Sequence, residues 1–368
     1  MGWKKVKLGD LYTVHNGLSK GRKYFGSGYP FLSFSTVFNN YFIPTELSDL
    51  VQSDENEQKN YSICRGDVFV TRTSETSDEL GMSCVALKDY PTATYNGFTK
   101  RMRPIENDIV LPEYIGYYMR MPSFRGEFQA FSKMTTRASL KNEDLLGLAI
   151  MLPPMAKQEK IAHILRNYDY LIENNGKQIK LLEEAAQRLY KEWFVDLRFP
   201  GHENIEVIDG IPCGWRKASL VEIAPIITGK KDANFGTANG KYLFFTCAQE
   251  TIRASSYSFD CAAVILAGNG DFNVKLYRGK FEAYQRTYIF SPFDLNHIYM
   301  LYYAVKDNMR QLVQGASGST IKFLTKCMLE EIEVFIPDEN ILKKFTSYCE
   351  AYQKKIETLK QQIIISQE

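Results

Sequence analysis

The residues of this chain that could do chemistry are cations, amides and hydroxyls gathered in segments that read as turns. In the first half they are Arg22-Lys23, Asn39-Asn40, Arg72 within Thr71-Arg-Thr-Ser74, Lys100-Arg101 with Arg103, and Thr135-Thr136-Arg137. In the second half they are Lys230-Lys231, Asn234, Asn239, Arg253, Asn269, Asn273, Lys275, Arg278, Lys280, Arg286 and Gly318-Ser-Thr320-Ile-Lys322. Arg and Lys pair with guanine, Asn and Gln with adenine, and hydroxyls and cations hold phosphate. Any one of these residues reads equally well as a solvated loop charge. The paired Ser/Thr-Thr loops carry more, because they recur in both halves before a helix-like turn. They can cap that helix or direct its N-terminal amides at a phosphate.

Catalytic constellations are missing from the pattern. No G-x-x-x-x-G-K-[ST] loop exists: Gly21-Arg-Lys-Tyr-Phe-Gly26 lacks the Lys, and Thr228-Gly-Lys-Lys231 lacks the upstream Gly and the hydroxyl. Gly268-Asn-Gly270-Asp stands alone and opens no βαβ unit. Leu152-Pro-Pro-Met155 resembles the Asn/Asp-Pro-Pro-Tyr/Phe loop of amino-methyltransferases but lacks the polar residue that would hold a target amino group, so it reads as a helix start. Pro337-Asp338 is not followed by Asp/Glu-x-Lys at a useful spacing. The four histidines, His15, His163, His202 and His297, have no partner at metal-ligand spacing. No metal site and no catalytic residue is expected.

The elements that must position these residues are written twice. Trp3-Lys-Lys-Val-Lys-Leu8-Gly-Asp-Leu11 recurs as Trp215-Arg-Lys-Ala-Ser-Leu220-Val-Glu-Ile223, an offset of 212, with Asn16-Gly17 and Thr228-Gly229 at the same offset. Thr136-x-x-x-Leu140 recurs as Thr320-x-x-x-Leu324 at an offset of 184, and Leu148, Ile150 and Pro153 recur as Ile332, Val334 and Pro337. A period this long is a repeated domain with its linker, not a solenoid. Residues 1–153 and 200–337 each read as a mixed domain of short strands and turns. Strand-like runs are Tyr29 to Val37, Asp67 to Thr71 and Gly147 to Leu152 in the first. In the second they are Tyr242 to Thr246, Ala262 to Leu266 and Thr287 to Phe290. Helical spacing marks Pro112 to Arg120 and Leu295 to Leu312, and Tyr302-Tyr303 echoes Tyr117-Tyr118.

A long helix follows each domain. In the first, Ile161, Leu165, Tyr168, Ile172, Asn175, Ile179, Leu182, Ala186, Leu189 and Trp193 fall at a 4-3-4-3 spacing. In the second, Phe345, Cys349, Tyr352, Ile356, Leu359 and Ile363 do the same, in register with the first at an offset of 184. A sustained repeat of 3.5 residues is a coiled-coil seam. Either stripe alone could lie on its own domain's core. Two in register, each beginning after a proline, favour the pair packing on each other, with Asn175 fixing the register. The helix from about 156 to 196 would be ~60 Å long at 1.5 Å per residue. Pro200-Gly201 ends it.

Composition sets the bounds. The 368 residues suggest two to three domains, and a hydrophobic fraction of 45% with an aromatic fraction of 13% is that of packed domains. The formal charge of +2 gives no global field, so a nucleic-acid role must rest on local patches. Seven scattered cysteines with no C-x-x-C pair favour a reducing compartment. Met1-Gly-Trp-Lys-Lys is not followed by an apolar core, and no apolar run approaches membrane-spanning length. The expectation is a cytoplasmic protein without membrane association.

Two mixed domains, each followed by a long helix, resemble the DNA-specificity subunit of Type I restriction-modification systems. The residues that carry the resemblance are Leu152-Pro-Pro-Met-Ala-Lys-Gln158-Glu-Lys-Ile161-Ala with Leu165 and Asp169, and Leu189-Tyr-Lys-Glu-Trp-Phe-Val-Asp-Leu-Arg-Phe-Pro-Gly-His202. Lys157 stands where the family commonly has Glu, and the second helix start, Ile336-Pro-Asp-Glu-Asn-Ile-Leu-Lys-Lys-Phe345, has no Gln. The resemblance implies an α+β fold of two target recognition domains, 1–153 and 200–337. Two long spacer helices, 154–199 and 338–368, would form an antiparallel coiled coil. It implies a chain that catalyses nothing and reads the unlike halves of a bipartite site in double-stranded DNA. Its partners would be two methyltransferase (M) subunits and motor-nuclease (R) subunits, which would bind S-adenosylmethionine, ATP and magnesium. The DNA contacts expected are Arg22, Lys23, Arg72, Lys100, Arg101, Thr136, Arg137, Lys230, Lys231, Asn273, Lys275, Thr320 and Lys322. A DNA-acting enzyme with an unrecognised site and a coiled-coil scaffold unrelated to DNA remain the alternatives.

Overall fold

The computed structural model describes residues 2–74, 79–132, 138–318 and 322–367. These fall into two compact units, Met1–Tyr170 and Leu171–Glu368. The sequence repeat is the closure of each unit. In the first, Lys4–Lys7 pairs antiparallel with Ala149–Leu152, Lys4 opposite Leu152. In the second, Arg216–Ser219 pairs with Glu333–Ile336, Arg216 opposite Ile336. The Leu8 N–H then donates to Leu148 O at 2.7 Å, and the Leu220 N–H to Ile332 O at 3.1 Å. Each unit therefore ties its beginning to its end just before the proline that admits a long helix.

In the first unit a four-stranded antiparallel sheet runs Tyr12–Asn16, Thr99–Pro104, Val68–Thr71, Ser83–Val85. One face buries Val68, Val70 and Met102 against Tyr114, Ile115 and Phe128 of the helices Pro112–Tyr118 and Pro122–Ser132. The other buries Phe69 and Cys84 with Leu32, Val37 and Tyr95. This alternation is the period-2 consequence of strand geometry. The apolar run at Tyr29 to Val37 does not stay extended throughout. The strand Phe25–Leu32 stops at Ser33, whose hydroxyl accepts from the Thr36 N–H at 3.3 Å and starts the helix Phe34–Asn39.

In the second unit a six-stranded sheet runs Ile226–Thr228, Thr287–Phe290, Phe259–Ala267, Val274–Ala283, Tyr242–Phe245, Ile252–Ala254. The helix Ile298–Gly315 covers it with Ile298, Leu301, Ala304 and Val305. Lys275, Arg278 and Lys280 lie on the long strand Val274–Ala283, and Lys100, Arg101 and Arg103 on Thr99–Pro104. The turn expectation fails at these six residues, and at Arg253 on the strand Ile252–Ala254, because their charge masked strands whose register is set by apolar partners: Val264 opposite Leu276, and Val68 opposite Met102.

The helix Met155–Tyr190 continues as a π-turn at Lys191–Val195, which swings Trp193 and Phe194 inward. Within the second unit its later turns pack antiparallel on the helix Glu339–Gln367. Asn175, 2% exposed, donates through Nδ2 to Gln362 Oε1 at 3.3 Å, while Tyr190 and Phe194 meet Phe345 at 6.3 and 4.8 Å between ring centroids. Phe345, Cys349, Ile356 and Leu359 are buried in this seam, and Ile172, Ile179, Leu182, Tyr352 and Ile363 are half-buried. The earlier part of the stripe behaves differently. Ile161 packs on the first unit's own core, and Leu165 and Tyr168 are exposed. There Gln158 and Ala162 supply the buried face instead.

Candidate nucleic-acid interface

Each sheet has a corner built to the same plan. In the first unit Thr71 sits opposite Thr99. The Arg72 N–H donates to Phe98 O at 3.0 Å, and Arg72 O accepts from the Leu140 N–H at 2.9 Å. In the second unit Ala267 sits opposite Thr287. The Gly268 N–H donates to Arg286 O at 2.8 Å, and Gly268 O accepts from the Leu324 N–H at 2.7 Å. Leu140 and Leu324, paired by the sequence repeat, are thus the same residue of the fold. Both are buried.

A four-residue turn forms the tip of each corner. In Asn96-Gly-Phe98-Thr99 the Thr99 N–H donates to Asn96 O at 3.0 Å and its Oγ1 to the same carbonyl at 2.7 Å. In Tyr284-Gln-Arg286-Thr287 the corresponding distances are 2.8 and 2.5 Å. The glycines of Asn16-Gly17 and Thr228-Gly229 lie against these turns. A Cβ on Gly17 would stand 2.0 Å from Asn96 O, and one on Gly229 2.1 Å from Tyr284 O. Only glycine fits at either position, which explains their recurrence.

Side chains differ on this common frame. In the first unit Lys100 is 5% exposed and its Nζ donates to Asn142 Oδ1. Burial, then the nearby Arg72 charge, pushes its pKa down, while Asp144 works in the opposite sense. At the equivalent place in the second unit Tyr288 donates through its hydroxyl to Leu324 O at 2.9 Å. Lys230, Arg286 and Lys322 are exposed around that corner. Lys231 lies 4.5 Å from the Phe235 ring centroid. Asn273 and Lys275 brace a neighbouring loop: Asn273 Nδ2 donates to Cys247 O at 3.0 Å, and Lys275 Nζ to Ala248 O at 2.7 Å and to Asn273 Oδ1. Burial lowers the Lys275 pKa.

The remaining predicted residues are placed elsewhere. Arg22 and Lys23 are exposed on the short turn Arg22–Tyr24, with Lys23 5.0 Å from the Tyr24 ring centroid. Arg101, 6% exposed, faces inward, donating to Ser62 O at 2.7 Å and lying 5.4 Å from the Tyr95 ring centroid. Its neighbour Arg103 holds the buried Asp67 through two bonds, at 2.8 and 2.6 Å. Arg101 is buried and Arg103 half-buried over the buried Asp67, and strand alternation sends both to the same side. Thr136, Arg137 and Thr320 lie outside the described residues.

Charge separates the two ends of the first unit's sheet. The corner end carries Arg72 and Lys100, with Asp144 the carboxylate near them. The far end carries a pocket lined by Asp67, Asp89, Asp108 and Glu159, with Arg65 and Arg103 the cations among its lining residues. A polyanion is favoured at the first end and disfavoured at the second. Sequence reasoning did not single out Phe98, Asn142 or Lys326. The four-residue turns at the two corners have no motif, and only their hydrogen bonds reveal them.

Residues 1–184 and 212–366 match the family described as Type I restriction modification DNA specificity domain. The chain belongs to this family. The two matched stretches are the two halves of the repeat. Among relatives, the type I restriction enzyme EcoDI specificity subunit of Escherichia coli is 41% identical over 127 residues, which are 34% of this chain and 28% of that protein. The MjaIX specificity subunit of Methanocaldococcus jannaschii is 25% identical over 398 residues, covering 99% of this chain and 89% of that one. The fold is that of the Type-I restriction-modification system S subunit from M. genitalium, with a TM-score of 0.60 at 15% identity over 99% of this chain and 93% of that one. A chain from a structure of the complex assembly and conformational transition of a type I R-M system gives 0.51 at 17% identity, over 99% and 94%. Among the described residues no helix is long and apolar enough to cross a membrane, and no group of His, Cys, Asp and Glu could hold a metal ion.

Proposed function

We propose that this specificity-family chain recognises a bipartite, asymmetric site in double-stranded DNA, one half with each domain, and directs methylation and restriction by partner subunits. The observation that carries this reading is the duplicated sheet corner: one hydrogen-bonded frame with unlike side chains. Two similar frames read two half-sites; unlike side chains make the halves unlike. The helix Met155–Tyr190, on the order of 54 Å long at 1.5 Å per residue, supports a role in setting the gap between half-sites. The partners are two methyltransferase subunits and motor-nuclease subunits. These carry the S-adenosylmethionine, ATP and magnesium, and this chain binds none of them and performs no catalysis. A net charge of +2 suffices if the partners supply part of the phosphate clamp. The setting is cytoplasmic.

The test is modification mapping. The chain is expressed with its cognate methyltransferase subunit in a methylation-free host, and methylated bases are located by single-molecule sequencing. A single motif of two short, unlike halves around a fixed gap is expected. Methylation without a bipartite motif, from an assembled complex, refutes the reading.

A further inference from the structure

Resting on that DNA-recognition reading, we infer that the third residue of the corner turn is a specificity-determining contact in each domain. Arg286 hydrogen-bonds a guanine edge in one half-site, and Phe98 packs on a thymine methyl group in the other. The two residues are one position of the fold. Each follows by two the residue whose carbonyl the turn's threonine caps, and each offers its own carbonyl to the next strand, to Arg72 N–H at 3.0 Å or Gly268 N–H at 2.8 Å.

The backbone of this turn is already engaged. The carbonyls of Asn96 and Tyr284 accept from Thr99 and Thr287, and those of Phe98 and Arg286 accept from the adjacent strand. Main-chain contacts therefore leave little room for the two domains to differ here, and the side chain carries the difference. Phe98 is 62% exposed at the tip, so its ring is free to meet a ligand there. Arg286 is also exposed, with no side-chain hydrogen bond or ion pair among the described residues. It lines a shallow pocket with Gln285, Phe323 and Lys326.

A position used to grip phosphate would need a donor in both copies, and a phenyl ring has none. A position that reaches a base edge accommodates both chemistries. An arginine fork matches guanine O6 and N7, and an aromatic ring contacts the thymine methyl.

The experiment maps methylation by the complete complex carrying wild type, Arg286→Ala, Arg286→Lys or Phe98→Ala. Both side chains are exposed, so each variant should melt near the wild-type temperature. With Arg286→Ala and Arg286→Lys, one fixed guanine in one half-site should become mixed, with discrimination there falling roughly 10- to 100-fold and the other half unchanged. Lysine keeps the charge but loses the fork, so its failure to restore the guanine identifies base reading. Phe98→Ala should relax one fixed thymine in the opposite half. An unchanged motif with a uniform drop in methylation, or Arg286→Lys behaving as wild type, overturns the inference and leaves bipartite recognition standing. A wild-type complex that yields no bipartite motif overturns the recognition reading itself.

Discussion

The two long helices begin differently, although both follow a proline that ends the closing strand. At the first, Gln158, 1% exposed, accepts the Leu111 N–H at 2.8 Å and donates to Ile109 O at 3.0 Å and Pro153 O at 2.9 Å. One buried side chain satisfies three backbone groups and pins the first turn to its domain. The position that corresponds to it in the second copy, by the offset of 184, is Leu342, buried in the apolar core beside Phe345. There the helix start is held by Asp338, whose Oδ1 accepts the N–H groups of Asn340 at 2.9 Å and Ile341 at 3.2 Å. The same place in the repeat is thus held by a polar lock in one copy and by an apolar side chain plus a cap in the other. A missing Gln is a substitution of mechanism, not a decayed helix start.

The largest effect should come from the apolar side of the comparison. Phe345→Ala removes the ring on which Tyr190, Trp193 and Phe194 converge. It should cost about 4 kcal/mol. Denaturant unfolding followed through the fluorescence of Trp193 and Trp215 measures it, and a loss under about 1 kcal/mol would show that the seam does not depend on this contact. Gln158→Leu imports the second copy's solution into the first. It leaves three backbone groups without partners and should cost about 3 kcal/mol. Fast hydrogen exchange at the Leu111 amide is the signature; unchanged protection there would mean the polar lock is dispensable and the two helix starts are interchangeable. The smallest effect is expected for Asp338→Ala, about 1 kcal/mol of cap energy. It should appear as roughly fivefold faster exchange at Asn340 and Ile341, with the rest of the helix unaffected.

Much of the fold was legible because repetition is a property of sequence. Trp3 to Leu11 and Trp215 to Ile223 announced the duplicated opening, and Leu140 and Leu324 proved to be equivalent. The seam from Ile172 onward was also legible, since spacing alone identifies a buried face. Leu165 and Tyr168 continue that spacing but are exposed. Periodicity marks a stripe and does not tell how far along it a partner runs. Among the charged residues, Lys230 and Lys322 proved exposed, whereas Arg101 proved buried and Arg103 half-buried. Nothing local distinguishes these cases, because a strand's inward positions are fixed by its neighbours: Phe69 lies opposite Arg101, and Asp67, just before the strand Val68–Thr71, reaches Arg103.

By itself the sequence determined that the chain is a duplication, where each copy opens and closes, which glycines recur and which helical face carries the apolar repeat. These are matters of residue identity and spacing along one dimension. The tertiary structure alone decided which cations face solvent, where the stripe changes partners, and that Phe98 and Arg286 occupy one position. Thr99 and Thr287 stand at an offset of 188, which matches neither the 212 of the openings nor the 184 of the closings. Length changes on either side hide the correspondence in the chain. The hydrogen bonds restore it, because a backbone turn is defined by which carbonyl each N–H reaches, whatever the distance between them in sequence.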